Sequence, residues 1–214
     1  MGIIKHTIPR STREQFVTAV NQRLPEGLLR RQSANLISAA GAGLVYAGSE
    51  VDGKTGLALR ILGETFDDID GDWARAFGVV SESGALIDPF LDKGKVFLEV
   101  RTLWRHTTDM EPGEQILRRM ALGIIGGKHL VNAGLNTTAQ LMGLEPHSSM
   151  AGQANLWVDG IAIGAFGVAD VIEDPELQRN VANVGYVATA VGVITGGVAI
   201  AGYARQFVPP ENAE

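Results

Sequence analysis

Apolar residues recur along this chain at helical rather than strand spacing. In residues 11–31, Phe16, Val17, Val20 and Leu24 fall on one side of a predicted helix. Ser11 stands as its N-cap, and Glu14 completes a capping box three residues on. Pro25 interrupts the pattern before Leu28 and Leu29. Two settings suit this segment: a protein surface, or a membrane interface with the arginines toward anionic lipid. Further on, residues 181–203 carry no charge and are long enough to cross a bilayer. Residues 153–172 form a second apolar stretch, interrupted by Asp159 and Asp170, and residues 35–48 form a short one. Residues 56–66, 76–104 and 116–142 are helix-like but rich in charge. Turn signals at Asp52-Gly53, Glu111-Pro112-Gly113, Glu145-Pro146 and Asp174-Pro175 leave six helical pieces behind the amino-terminal helix. Strand alternation and long internal repeats are absent, so the pattern predicts an all-α fold.

Composition narrows the class. With 214 residues the chain suits one domain or two small ones. Hydrophobic residues make up 45 %, enough for a sizeable core or for membrane spans. The mean hydropathy of +0.10 is low for a multi-span protein, and only residues 181–203 pass as a span on hydropathy alone. The 27 glycines fit closely packed membrane helices, and equally a soluble chain with many turns. The chain has no cysteine, which excludes disulfides, thiolate zinc sites and thiol nucleophiles. A net charge of −6 argues against a nucleic-acid partner. The first 31 residues are basic nonetheless, with Lys5, Arg10, Arg13, Arg23, Arg30 and Arg31 against Glu14 and Glu26. That stretch is too polar for a signal peptide. With Arg205 it predicts that both termini face the cytoplasm, which requires an even number of spans. Outer loops then fall near 49–55, 105–115 and 173–180.

The chemistry concentrates in residues 67–92. Asp67 and Asp70 are three apart, and Asp88 and Asp92 four apart, so each pair shares a helix face. Two helices that bring these faces together converge four carboxylates, which cannot all stay ionised without cations between them. Mg²⁺ or Mn²⁺ prefers such oxygen ligands, and two ions suit attack on a phosphoryl group. Gly71, Gly84 and Ala74 leave room for a ligand, and Arg75 offers a planar donor fork for phosphate. Three other patterns compete. A solvated acidic face explains the aspartates but not the spaced glycines and Arg75. A calcium loop through Asp68, Asp70 and Gly71 would put Phe66 and Phe77 where carboxylates are required. Gly48 to Thr55 satisfies the phosphate-loop pattern, but with Glu50 and Asp52 inside the loop and no β-branched strand before it.

The spacing Asp67-x2-Asp70-Gly71-x2-Ala74-Arg75-x8-Gly84-x3-Asp88-x3-Asp92 resembles the signature of the CDP-alcohol phosphatidyltransferase family. Asn35-Leu36-Ile37-Ser38 looks like the start of that family's first membrane helix. Asp88-Pro89-Phe90-Leu91-Asp92-Lys93 looks like its phosphatidylglycerophosphate synthase-like branch. The resemblance implies a six-transmembrane-helix bundle over residues 35–205, an interfacial amphipathic segment at 1–34 and a short polar tail at 206–214. It implies a multi-pass homodimer in the cell membrane whose site faces the cytoplasm. Asp67, Asp70 and Asp88 would ligate metal, and Asp92 would complete that site and take the acceptor's proton. Gly71, Ala74, Arg75 and Gly84 would line the CDP pocket. CDP-diacylglycerol or another CDP-alcohol would be the donor, CMP would be released, and the product would be a phospholipid or its precursor. The family's Gly-Lys-x-Lys-Thr run corresponds here to Gly152-Gln153-Ala154-Asn155-Leu156, without either lysine. That leaves the acceptor alcohol open. Arg118 and Arg119 are candidate acceptor-phosphate ligands or plain helix-flank charges. An inactive or soluble helical homologue remains the alternative, with a phosphate-loop nucleotide-binding protein behind it.

Overall fold

The computed structural model describes residues 28–77, 82–144 and 150–205, together with Gln15 and Phe207. Side chains at 28–32, 67–68, 70–72, 74–77, 82–90, 92 and 140 lie outside that description. The described chain is helical: α1 (Leu28–Ser49), α2 (Gly53–Phe77), α3 (Glu82–His106), α4 (Pro112–Leu141), α5 (Met150–Ala169) and α6 (Pro175–Arg205). A single 3-10 turn, Thr107–Asp109, joins α3 to α4. The six helices match the six predicted pieces, and no strand occurs among the described residues. The predicted amino-terminal helix lies outside the described residues, save Gln15 and its last four residues. Those four, Leu28 to Arg31, belong to α1. No glycine or proline occurs between Leu28 and Ala40 to end a helix there.

The helices fall into two compact units, Met1–Glu99 and Val100–Glu214. In the first, α1 and α2 form a hairpin packed at backbone contact. A Cβ on Gly41 would lie 2.7 Å from the Gly63 carbonyl oxygen, and one on Gly63 would lie 2.5 Å from that of Gly41. Seven residues along, Gly48 and Gly56 repeat the arrangement, with a Cβ on Gly48 2.7 Å from the Gly56 carbonyl oxygen. The connection is only Glu50 to Asp52, closed by Gly53 at φ 71°, a left-handed conformation that favours glycine.

In the second unit, α6 packs against α5 with its small residues inward. Gly185, Ala188, Thr189, Gly192, Gly196 and Ala199 are buried, while Val184, Val187, Val191, Ile194 and Val198 are exposed. Asp174 caps this helix, its Oδ1 accepting from the Leu177 N–H at 2.7 Å, with Pro175 at the first helical position. Leu103, Leu122, Ile125, Ala162 and Phe166 form the centre of the unit's core. On α4, Arg118, Lys128, His129 and Asn132 are buried, whereas Ile116, Leu117, Met120, Leu130 and Val131 are exposed. Both helices therefore turn many large apolar side chains outward, and α4 buries charged and polar ones beside Leu122 and Ile125. Among the described residues only Pro175–Arg205 is long and apolar enough to cross a membrane by itself.

Helix propensity alone favours alanine over glycine by about 1 kcal/mol. The contact at Gly63 predicts the opposite: Gly63→Ala lowers the thermal midpoint of the purified chain in detergent. A raised midpoint would mean that α1 and α2 do not meet at backbone distance.

Candidate active site

Asp67, Asp70, Gly71, Ala74 and Arg75 occupy the last three turns of α2, and Gly84, Asp88 and Asp92 the first half of α3, as helix positions. Their side chains lie outside the described residues. Their surroundings in the first unit are described on two sides. Trp73, inside the motif, is 4 % exposed, and its Nε1 donates to Ser33 Oγ of α1 at 2.7 Å. With the glycine contacts, this bond fastens the motif-bearing end of α2 to α1.

The other side is ionic. Arg60 on α2 donates from NH1 to Glu99 Oε2 on α3 at 2.6 Å, and both residues are buried. One turn along, Lys95 Nζ lies 3.9 Å from Glu64 Oε2, with Lys95 also buried. A step of four along α2 is thus matched by a step of four back along α3. Neither pair stood out in the sequence, because Arg60, Glu64, Lys95 and Glu99 sit among charges that read as solvated faces. Among the described residues no three His, Asp or Glu side chains gather as a metal site, and the motif aspartates are outside that set.

The second unit holds two further buried polar clusters. Lys128 Nζ on α4 donates to Asp159 Oδ1 at 2.7 Å and to Asn155 Oδ1 at 3.0 Å, both on α5. Asn155 Nδ2 donates to Asp159 Oδ2 at 3.1 Å. His129 Nε2 lies 3.2 Å from the same oxygen, without the alignment of a hydrogen bond. Glycines of α6 make the room: a Cβ on Gly192 would lie 2.7 Å from Lys128 Nζ, and one on Gly196 2.8 Å from Asn155 Oδ1. Asn155 is, with Gln153, one of the two positions where the expected run has a lysine, and an ammonium reaches it from α4 instead. Sequence reading passed over Lys128, although a lysine in the apolar run Gly-Ile-Ile-Gly-Gly-Lys was a visible signal.

Arg118 is 1 % exposed. Its NH1 donates to Asp170 Oδ1 at 3.2 Å, and its guanidinium lies 4.2 Å from the centre of the Phe166 ring. Asp170 also meets His106 Nδ1 at 3.0 Å. Arg119 donates from Nε to Thr107 Oγ1 at 2.8 Å and lies 5.4 Å over Trp104. Both arginines predicted as acceptor ligands thus hold internal partners here. Gly48 and Ser49 end one helix and Gly53 to Thr55 begin the next, so a helix precedes the phosphate-loop pattern where that motif requires a strand.

The family model described as CDP-alcohol phosphatidyltransferase matches residues 34–198. The chain belongs to the CDP-alcohol phosphatidyltransferase family. No curated protein and no solved structure matches it significantly. As a CDP-alcohol phosphatidyltransferase family member it is a transferase of phospholipid biosynthesis, and the group its family moves is a phosphoalcohol from a CDP-alcohol. The match takes in the whole spacing from Asp67 to Asp92 and all six helices at least in part.

Removing one member of a buried ion pair strands its partner at a cost of about 3–5 kcal/mol, whereas replacing both with apolar groups is near neutral. Lys128→Met and Asp159→Leu should each destabilise the detergent-solubilised chain by several times the effect of the double variant. Chemical unfolding followed by helical circular dichroism measures this. Additive losses would show that the two side chains are not paired.

Proposed function

We propose that this chain transfers the phosphoalcohol group of a CDP-alcohol to an acceptor hydroxyl and releases CMP. Asp67, Asp70, Asp88 and Asp92 would hold two divalent ions, Mg²⁺ or Mn²⁺. The observation that carries this reading is the register between α2 and α3. Asp67 lies seven residues beyond Arg60, and Asp92 seven before Glu99. Continued at about 1.5 Å per residue along antiparallel helices, this register would put both about 10.5 Å beyond the Arg60–Glu99 pair and level with each other. Eleven residues beyond that pair, Gly71 would come level with Asp88, with Asp70 beside it. The stripes that carry the ion pairs also carry the motif, since steps of four, three and four keep one helix face.

The donor set suits the ions. From 67 to 92 the acidic residues are Asp67, Asp68, Asp70, Asp72, Glu82, Asp88 and Asp92, and the basic residue is Arg75. All the candidate ligands are carboxylates, which favour hard cations over zinc or copper. When bound, such ions neutralise the pyrophosphate and improve CMP as a leaving group. The chain's own residues do the rest. Arg75 donates to phosphate oxygens, and Gly71, Ala74 and Gly84 leave space for the CDP moiety. Asp92 accepts the proton of the acceptor hydroxyl as its oxygen attacks the β-phosphorus. The bond from that phosphorus to the CMP oxygen breaks, and CMP departs with the electron pair.

The same reading puts all six helices across the cell membrane, with the site toward the cytoplasm and two copies forming a homodimer. The placement of large apolar side chains supports a bilayer. Exposed residues of this kind occur on every helix, among them Leu36, Ile61, Phe97, Met120, Ile161 and Val187. Arg60, Lys95, Glu99, Arg118, Lys128 and Asp159 are buried meanwhile. In lipid, polar side chains turn inward and helices meet through small residues. An acceptor-phosphate role for Arg118 would require exchange of its Asp170 contact for the incoming phosphate.

Asp92→Asn should lower CMP release by about 10²–10⁴-fold while CDP-diacylglycerol binding persists. Arg75→Ala should instead weaken donor binding by about tenfold or more, as loss of a charge-assisted hydrogen bond does. The measurements are CMP release from membranes with CDP-diacylglycerol and a panel of acceptor alcohols, and donor binding to the purified chain. Wild-type turnover by Asp92→Asn would exclude it as the base, and an unchanged donor affinity in Arg75→Ala would exclude the pocket assignment.

A further inference from the structure

The buried ion pairs between α2 and α3 point to a role beyond cohesion. We propose that Arg60 and Glu99, seconded by Lys95 and Glu64, are positioning residues that fix the axial register of the two helices carrying the metal-binding aspartates. This rests on the metal reading of those aspartates given above.

Two antiparallel helices joined only by apolar ridges can slide by one turn, about 5.4 Å, and find a similar packing. A slip of that size on α3 would bring Asp88, instead of Asp92, level with Asp67. Four ligands converging on two ions do not tolerate such an error. An ion pair tolerates it no better: the 2.6 Å contact from Arg60 NH1 to Glu99 Oε2 exists in one register only. Displacement by a turn leaves two charges buried without partners, at side-chain exposures of 3 % and 9 %. The second pair, Lys95 with Glu64, falls at the same offset and excludes the same slip. Fixing register is the best-attested use of a buried polar contact whose net contribution to stability is small. The neighbouring contacts of α2 cannot replace it, because the α1 glycines and Ser33 set α2 against α1 and leave α3 undetermined.

The test compares four forms of the full chain in detergent: wild type, Arg60→Met, the neutral double variant Arg60→Met with Glu99→Leu, and the swap Arg60→Glu with Glu99→Arg. Mn²⁺ binding is read by electron paramagnetic resonance, and thermal midpoint and helicity are read in parallel. The double variant should keep its helicity and midpoint but lose about ten- to a hundredfold in Mn²⁺ affinity, the range found when outer-shell support of a metal site is removed. The swap should recover most of that affinity. Arg60→Met alone should lose both midpoint and Mn²⁺ binding. Wild-type Mn²⁺ affinity in the double variant would overturn the positioning role and leave the metal site standing. A folded swap variant that fails to regain Mn²⁺ would overturn it too. Absence of Mn²⁺ binding by the wild type would overturn the metal reading itself, and this proposal with it.

Discussion

A charge removed from water must meet an opposite charge, and this chain is organised around that requirement. Among the described residues, four Arg or Lys side chains meet carboxylates between helices or at a helix end: Arg60 with Glu99, Lys95 with Glu64, Arg118 with Asp170 and Lys128 with Asp159. Three join residues on different helices, and Arg118 of α4 meets Asp170 just past the end of α5. Together they decide which helix faces turn inward and in what register the helices meet. The motif between Asp67 and Asp92 follows the same rule from the other direction. Its acidic residues far exceed the single Arg75, and in the proposed function divalent ions would be the counter-charge that completes it.

Pairing charges inside has a consequence for the outside. With Arg118, Lys128, His129 and Asn132 turned inward, α4 presents isoleucine, leucine, methionine and valine outward. On α6 the inward residues are glycine and alanine, and valines and an isoleucine again face out. Small residues permit the close approach of α6 that the Lys128 cluster needs, since side chains at Gly192 and Gly196 would collide with it. Large apolar faces turned outward are unfavourable against water but not against lipid, the surround that the proposed function gives them.

This inversion explains how far the sequence could be read. The six helical pieces were legible from periodicity and turn residues, and every one corresponds to a helix. Their extents were not: the helix-like pieces 56–66 and 76–104 leave out 67–75, whereas α2 runs through Phe77 and α3 begins at Glu82. Hydropathy passed only residues 181–203. It averages the inward and outward faces of a helix, so the buried charges of α2, α3 and α4 hid their apolar exteriors. The spacing from Asp67 to Asp92 pointed to the family, because a motif of fixed spacing survives in one dimension. Arg60, Glu99, Lys128 and Asp159 did not stand out, because each partner lies more than thirty residues from the other. Their meaning is in the pairing.

The proposed site requires that α2 and α3 meet in the register that brings Asp67 level with Asp92. The chain has no cysteine, so introduced pairs report without background. Disulfide formation in membranes should be efficient for Asp67→Cys with Asp92→Cys, and weak for Asp67→Cys with Glu99→Cys, two turns out of register. Cross-linking of the second pair in preference to the first would rule that register out.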